Sequence, residues 1–215
     1  MNDKPRHIKN DLILQIAALH FAEKGFAGAR VDEIAEQAGV NKATLYYRIG
    51  DKAAIYEEVL RITLETTLET IAANVDPTAG PEQQLRDHIK AFACCLYDYQ
   101  HLAALIMREL AGGAGHMSAS VVQRMRMMRD AVGEILQQGE KAGVFIPASP
   151  LLVHTQAVST LLLFSACTPI RQKLLEMDAD DNDPFIRASI SEAAEMVADA
   201  ILRSILISQP QQDTP

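Results

Sequence analysis

Cationic and hydroxyl-bearing side chains are concentrated in the stretch NKATLYYRIGDK, which runs from Asn41 to Lys52. Lysine and arginine bind phosphate oxygens, and the hydroxyl groups of tyrosine and threonine can bind phosphates or base edges. The whole chain has a formal net charge of −8, so this set stands out from an acidic background. The chemistry that these residues could perform is non-covalent recognition of nucleic acid.

Two short helices are predicted to position these side chains. The first follows from apolar residues that recur at helical spacing, which are Val31, Ile34, Ala35 and Ala38. Gly39 comes next, and glycine can take the positive φ that lets a chain leave a helix and turn. Asn41 is suited to cap the second helix, in which Leu45 and Ile49 lie four residues apart on one inward face. Two helices joined by a short turn that contains glycine match the helix-turn-helix arrangement, whose second helix enters the DNA major groove.

Gly50 ends the second helix, and Asp51 is a suitable cap for a third helix that begins at Lys52. The remaining positions of the second helix include the set that faces outward, namely Lys42, Ala43, Thr44, Tyr46, Tyr47 and Arg48. One alternative stays open, because a corner between two helices in any helical protein could look the same. The tyrosines would then be half-buried and the cations merely solvated.

The longer segment IAALHFAEKGFAGARVDEIAEQAGVNKATLYYRIGDKAAIYEEVL, from Ile16 to Leu60, resembles the DNA-binding domain of TetR-family transcriptional regulators. The matching features are FAEKGF after the first helix, VDEIAEQAGV through the second, TLYY in the recognition helix, and the glycine and lysine of GDK before the fourth. The resemblance is strong only over the first quarter of the chain. It implies that DNA is contacted by Arg30, Lys42, Ala43, Thr44, Tyr46, Tyr47, Arg48 and Lys52.

Two positions depart from the pattern of this family. The chain has Arg30 where the family usually has a serine or threonine that caps helix two and binds phosphate. We therefore expect the phosphate contact to pass to Arg30, while Asp32 and Glu33 still complement the helix dipole. The chain also has Ile49 where an aromatic residue is common, which changes packing more than chemistry.

The charge is divided unevenly along the chain. Residues 1–52 carry eight Lys and Arg and seven Asp and Glu, a net charge of +1, which leaves −9 for the remainder. Because so weak a positive field cannot attract DNA strongly, we expect affinity to rest on a few placed contacts and on dimerisation. Lys4, Arg6 and Lys9 could add a short arm near the phosphates, or could belong to a basic tail without a role.

After Lys52 the apolar patterns are almost all helical, so the fold class is predicted as all-α. We expect a helix-turn-helix DNA-binding head on a larger helical body that binds a ligand and dimerises. The predicted helices of the body cover residues 52–74, 82–100, 102–111, 118–141, 149–168 and 184–207. The predicted domains are an N-terminal arm and head at 1–52, the body at 53–208, and a disordered tail at 209–215.

One helix of the body carries an apolar stripe rich in methionine, made of Val121, Met125, Met128, Val132 and Ile135. Core packing is the default interpretation, and an adaptable pocket for a small apolar ligand is the alternative. The family resemblance favours the alternative, because TetR-like regulators usually bind an effector inside this body. The residues predicted to line the pocket are Phe92, Leu96, Met107, Met125, Met128 and Gln156.

The last two long helices are more apolar than a helix buried on one side requires. Ordinary packing within the chain would explain this, whereas the resemblance implies that the two helices pair with those of a second copy in a four-helix bundle. We therefore predict a homodimer. Its interface residues are predicted to be Val158, Leu161, Leu162, Ile190, Ala194, Val197, Ile201 and Ile205.

Other sites for chemistry are weak in this sequence. Asp178, Asp180 and Asn182 imitate the first ligands of a calcium-binding EF-hand loop, but Asp183 and Ser189 stand where that loop needs glycine and glutamate. The three cysteines have no CxxC spacing, and no nucleophile, base and orienting group can be assembled from local sequence. We expect no metal, no cofactor and no enzymatic activity.

The N-terminus is polar and charged, and the longest apolar stretch, VSTLLLFSAC, is too short to span a membrane. We expect a cytoplasmic protein with no membrane partner. The predicted function is a ligand-responsive, homodimeric repressor that binds a palindromic operator in double-stranded DNA. The alternative is a helical small-molecule-binding or catalytic protein whose helix-turn-helix head no longer functions.

Overall fold

The computed structural model describes residues 4–99, 101–178 and 180–207, with side chains from Asn10 onward. The predicted all-α class is confirmed, since regular structure within these ranges is helical and one isolated bridge joins Phe145 to Leu206. The helices are α1 (Lys4–Gly28), α2 (Val31–Gln37), α3 (Lys42–Arg48), α4 (Lys52–Asn74), α5 (Pro81–Asp98), α6 (His101–Ala111), α7 (Ala119–Lys141), α8 (Pro150–Ala166), α9 (Thr168–Met177), α10 (Pro184–Arg187) and α11 (Ile190–Ile205). The predicted tail at 209–215 and the side chains of the proposed basic arm lie outside the described residues.

Most of the predicted helices occur with ends shifted by one or two residues, but two predictions after α8 were wrong. Helix α9 was not predicted; it begins with proline in its first turn, which helices tolerate, and it has no buried residue to give a strong apolar stripe. The predicted helix at 184–207 is divided into α10 and α11, because Ala188 is extended between them. Ser189 then starts α11 with a capping box, in which its side chain and that of Glu192 each accept a backbone N–H.

Contacts divide the chain into two compact units. Unit 1 contains the described residues up to Leu68 together with Asp98–Met125, and unit 2 contains Glu69–Tyr97 and the described residues from Arg126 onward. Most of α4 therefore belongs to unit 1. The predicted functional boundary between residues 52 and 53 stays a prediction.

Unit 1 builds its core around the short helices α2 and α3. Each has seven residues, which is too short for a helix to be stable alone in water. Their stability must come from packing, and Ile34 of α2 and Leu45 of α3 are completely buried. Phe21 of α1 and Tyr56 of α4 complete this core, with ring centroids 4.7 Å apart in an edge-to-face arrangement.

Unit 2 is organised around α8 packed on α11. Helix α11 buries a stripe of small and branched residues at helical spacing, made of Ala193, Ala194, Val197, Ala198, Ile201, Leu202 and Ile205. Close packing also fixes Gly139 of α7, because a Cβ there would lie 2.0 Å from the ring of Phe145. By length and composition, no single helix within the described ranges could cross a membrane, although α8 and α9 qualify as a pair bent by 61°.

Candidate nucleic-acid interface

The turn between α2 and α3 is set by backbone hydrogen bonds at the end of α2. The N–H of Val40 donates to the carbonyl of Ala35, and the N–H of Gly39 donates to that of Glu36, both at 3.0 Å. This pair of bonds is the Schellman motif, which requires a left-handed residue, and Gly39 supplies it with φ 64°. The turn therefore follows the geometry that the sequence predicted.

Side-chain caps stand at the start of α3 and at the start of α4, which follows it. The side chain of Asn41 accepts a hydrogen bond from the Thr44 N–H at 2.6 Å, as the sequence predicted for an N-cap. Gly50 has φ 124°, and a Cβ there would lie 2.8 Å from that of Ala54. Asp51 then caps α4, because its Oδ1 accepts from the Ala54 N–H at 2.9 Å. The recognition helix α3 and the next helix, α4, thus begin at positions that are fixed by their caps.

The outward face of α3 is solvated and carries two tyrosines. Tyr47 is 83% exposed and Tyr46 is 40% exposed, whereas Leu45, which precedes them in α3, is buried. Ala43 is also exposed, and Thr44 is half-buried with its N–H in the cap. Hydroxyls at these positions are free to meet a duplex surface.

Two cationic side chains stand at the edges of this face. Lys42 is exposed and pairs with Asp32 at 2.9 Å, which raises the pKa of Lys42 above its usual range. Arg30 is exposed and occupies the N-cap of α2 without a capping hydrogen bond from its side chain. The loss of the usual cap is compensated by Asp32 and Glu33 in the first turn of α2.

Arg48 and Lys52, which are also predicted to contact DNA, are both half-buried. Arg48 is half-buried, and its Nη1 is buried without a hydrogen-bond partner among the described residues. The ammonium of Lys52 donates to the carbonyl of Ala27 at 3.2 Å and lies 5.0 Å from the ring centroid of Phe26. Lys52 therefore ties the start of α4 to the segment before α2.

Sequence reasoning missed a buried polar network in unit 1 that joins α4 to α6. Glu109 of α6 is 4% exposed, and its carboxylate accepts from the Tyr56 hydroxyl at 2.7 Å and from the His116 backbone N–H at 3.2 Å. Burial and the hydrogen bond to Glu109 raise the pKa of Tyr56 above its usual range. A sequence signal exists, because Glu109 falls on the same helical face as Leu102 and Leu105, where an apolar residue is expected.

A second missed contact joins α6 to α1. The guanidinium of Arg108 donates to the carbonyls of Ala22 and Glu23, both at 2.8 Å. These carbonyls precede Gly25, where α1 is interrupted by a residue with φ 70°. Arg108 thus satisfies backbone acceptors that an interrupted helix leaves free. The sequence separation of more than eighty residues gave no local signal for it.

The predicted effector residues are distributed over both units. Phe92, Leu96 and Met128 are buried in unit 2, and the exposed Gln156 belongs to the same unit. Met107 and Met125 are half-buried and belong to unit 1. The methionine-rich stripe is largely buried, as core packing requires, and its role in lining a pocket stays a prediction.

The predicted dimer residues lie mostly inside the core of unit 2. The side chains buried within one chain are Leu161, Leu162, Ala194, Val197, Ile201 and Ile205. Val158 and Ile190 are half-buried. Between α8 and α11 the outer surface forms an open groove of about 620 Å³, to which Val197 and Ile201 contribute beside Gln156 and Ala200. The assignment of these residues to an interface stays a prediction.

Two short helices joined by a Schellman turn, with a capped second helix that exposes two tyrosines, define a helix-turn-helix DNA-binding protein. Residues 13–59 match the family model described as bacterial regulatory proteins, tetR family, and residues 81–200 match the tetracyclin repressor-like C-terminal domain. The second match alone covers more than half of the chain. The chain therefore belongs to the TetR family and is a DNA-binding transcriptional regulator.

Similar proteins are named as regulators of transcription. The chain is 29% identical over 142 residues to the transcriptional regulator RutR of Escherichia coli, a match that spans 66% of each chain. It is 27% identical over 136 residues to the transcriptional repressor KstR2 of Mycobacterium tuberculosis, covering 63% of this chain and 68% of that one. These relatives support a repressor and do not favour the alternative of a head without function.

Solved structures share the fold over nearly the whole chain. A bacterial regulatory protein of the tetR family from Rhodococcus RHA1 has a TM-score of 0.74 at 16% identity and covers 94% of this chain and 98% of its own. The structure of KstR2 of Mycobacterium tuberculosis has a TM-score of 0.69 at 20% identity, with 93% and 95% covered.

Proposed function

We propose that the protein is a homodimeric repressor that binds an inverted-repeat operator and releases it when a small, largely apolar molecule binds. The observation that carries this proposal is the solvated face of α3, where Tyr47 is 83% exposed beside a capped helix start. An aromatic side chain so exposed has no role in packing its own chain. Because operator DNA lies in the cytoplasm of a bacterium, we propose the same location for the protein.

The start of α3 is proposed to read bases, and its edges are proposed to hold the backbone. Lys42, Ala43 and Thr44 occupy the first turn, which in a helix-turn-helix enters the major groove most deeply. Tyr47, Arg30 and Lys52 are proposed to bind phosphates. Arg48 can join them only after its half-buried guanidinium turns outward.

A gel shift with promoter fragments that flank the gene tests this face. Tyr47→Ala should weaken binding about tenfold or more, because an aromatic hydroxyl at the interface is lost. Tyr97→Ala is the matched control, since Tyr97 is also an exposed tyrosine, at 70%, but lies in unit 2. Equal losses in both variants, or none in either, would remove α3 from the interface.

The proposed dimer surface is the outer side of α8 and α11. Leu151, Leu152 and Leu163 of α8 are all more than half exposed, and a partner that covered them would remove this apolar surface from water. Two heads related by a twofold axis require half-sites about one helical turn apart, roughly 34–36 Å. Footprinting of one asymmetric half-site, together with a monomer in solution scattering, would contradict both the dimer and the operator geometry.

The proposed effector pocket uses the apolar residues Phe92, Leu96 and Met128 of unit 2, and helix α4 is proposed to carry the response because it continues from unit 1 into unit 2. Ligand and operator must then oppose each other reciprocally, by about 1–3 kcal/mol for a typical allosteric pair. The test measures operator affinity with and without ligand, and ligand affinity with and without operator. Equal affinities in both comparisons would show that the pocket does not control the head.

A further inference from the structure

Two adjoining cavities lie within unit 1, between α1 and α4, and the first of them contains no residue that the proposed repressor mechanism assigns to DNA or effector. The first has a volume of about 270 Å³ and an apolar wall formed by Leu14, Ala18, Val59 and Ile62. Its polar lining residues are Asp11, Gln15, Thr63, Thr66, Tyr99 and His101. None of the residues predicted to bind the effector lines this cavity, so it is a separate place on the molecule.

The second cavity, of about 370 Å³, shares Asp11, Leu14 and Ile62 with the first. Its remaining charged residues are Arg48, Glu57, Glu58 and Arg61. Arg61 is held by two carboxylates, through bonds of 2.7 Å to Glu58 and 2.6 Å to Glu65, so its charge is neutralised within the protein. With Asp11 included, carboxylates outnumber guanidinium groups by three to two along these walls.

Asp11 is the charged group common to both cavities. It makes no ion pair or hydrogen bond with another described side chain, and it is exposed at the mouth of the first cavity. His101 does not oppose a cation there, because burial lowers the pKa of its imidazole and keeps it neutral near pH 7. The aromatic rings of Tyr99 and His101, which both line the first cavity, lie 6.2 Å apart.

We propose that the first cavity is a second small-molecule site, which takes an organic cation with a short apolar body. The ammonium group would lie against the Asp11 carboxylate and the ring of Tyr99, whose face attracts cations. The body would lie on Leu14, Val59 and Ile62. The volume is just below the usual range of ligand pockets, roughly 300–1,000 Å³, so the site suits molecules of about ten non-hydrogen atoms.

The experiment uses the full-length protein and three probes that share a phenylethyl group and differ in the charge of the group attached to it. These are 2-phenylethylamine, which is a cation near neutral pH, the neutral 2-phenylethanol, and the anion 3-phenylpropionate. Amide chemical shifts are followed by NMR during titration. The expected result is saturable binding of the cation in the millimolar range, about three to ten times tighter than the alcohol, with the anion weakest. Shifted amides should belong to residues 11–18 and 59–66 and to Tyr99 and His101.

Three variants separate a local contact from the general acidity of the chain. Asp11→Asn should bring the affinity for the amine close to that for the alcohol, because the carboxylate is the charged group that the ammonium would contact, and the ring of Tyr99 would leave only a small preference for the cation. Asp87→Asn removes the same charge from unit 2 and should change the amine affinity by less than twofold. Gln15→Phe should close the mouth of the cavity and weaken both probes, and its exposed position permits the substitution without unfolding.

Several outcomes would overturn this site. They are the absence of saturable binding at ~10 mM amine, equal affinities for amine and alcohol in the native chain, an equal effect of Asp11→Asn and Asp87→Asn, and shifts confined to unit 2. Because the readout is probe binding in unit 1, failure here leaves the proposed repressor function untouched.

Discussion

Units 1 and 2 both bury aliphatic side chains, but they fix their helices by different means. In unit 1 the side chain of Asn41 caps α3, and polar contacts of α6 join it to its neighbours, through Glu109 to α4 and through Arg108 to α1. In unit 2 longer helices pack through apolar stripes, as α11 does on α8. Unit 1 therefore depends on a few directional contacts, whereas unit 2 depends on the close packing of apolar side chains.

The largest effects should come from paired deletions in the two cores. Leu45→Ala and Leu161→Ala each remove a fully buried leucine, so each should lower the free energy of unfolding by about 2–5 kcal/mol. Hydrogen exchange should rise in α2 and α3 for the first variant, and in α8 and α11 for the second. If hydrogen exchange became faster over the whole chain in both variants, the two units would unfold together. The comparison of two separately stabilised units would then be wrong.

Glu109→Gln should have the next largest effect, because it weakens charge-assisted hydrogen bonds in a buried site. We expect a loss of about 1.5–3 kcal/mol in the free energy of unfolding, measured by urea denaturation. Tyr56→Phe is the partner variant, since it removes the hydroxyl that donates to Glu109 at 2.7 Å. In the double variant the losses should be less than additive by about 1 kcal/mol. Full additivity would mean that the contact does not couple α4 to α6.

A buried histidine should make the stability of unit 2 depend on pH. Burial, together with the nearby His154, lowers the pKa of His88 to about 4, compared with 6.5 in a solvated histidine. The unfolded chain therefore binds this proton first as the pH falls, so stability present above 6.5 is lost progressively toward pH 4. Between pH 7 and 5 the free energy of unfolding should fall by about 1–2 kcal/mol from this group alone.

His88→Leu removes the titrating group while retaining an apolar volume. The decline in stability between pH 7 and 5 should then become shallower, which denaturation curves at several pH values would measure. His154→Gln should have a weaker effect in the same direction, because burial also lowers the pKa of His154, which is less enclosed. An unchanged pH dependence in His88→Leu would show that the proton is taken up elsewhere.

Local signals explain which parts of the molecule could be predicted from the sequence. Gly39, Asn41 and Asp51 each perform the turn or capping role that their residue type indicates, because these roles depend on a few adjacent residues. The contact of Arg108 with the end of α1 could not be inferred, since it joins residues far apart in the chain. The hydrogen bond from Lys52 to the carbonyl of Ala27 could not be inferred either, because these residues are also far apart in the chain.

Apolar stripes gave a less specific prediction in unit 2. The stripe that includes Val197 and Ile201 indicated burial correctly, but a stripe does not say whether the same chain or a second copy covers it. The exposed leucines of α8, such as Leu151 and Leu163, are the residues that a partner could still cover. Sequence periodicity reports burial, and only the packed structure separates these two sets.

The smallest expected effect concerns the cap of the recognition helix. Asn41→Ala removes the acceptor for the Thr44 N–H and should cost about 1 kcal/mol in unit 1. Ser189→Ala removes the corresponding cap of α11 and should cost a similar amount in unit 2. Operator affinity should fall for the first variant and stay within about twofold for the second, because only the first lets the base-reading turn fray. Asn41→Ser distinguishes this from a direct DNA contact, since serine restores the cap but not the amide. Recovery of both stability and operator affinity in Asn41→Ser would assign the effect to capping. Recovery of stability alone would instead indicate that the Asn41 amide contacts the DNA. The second outcome would weaken the contrast between polar contacts in unit 1 and apolar packing in unit 2.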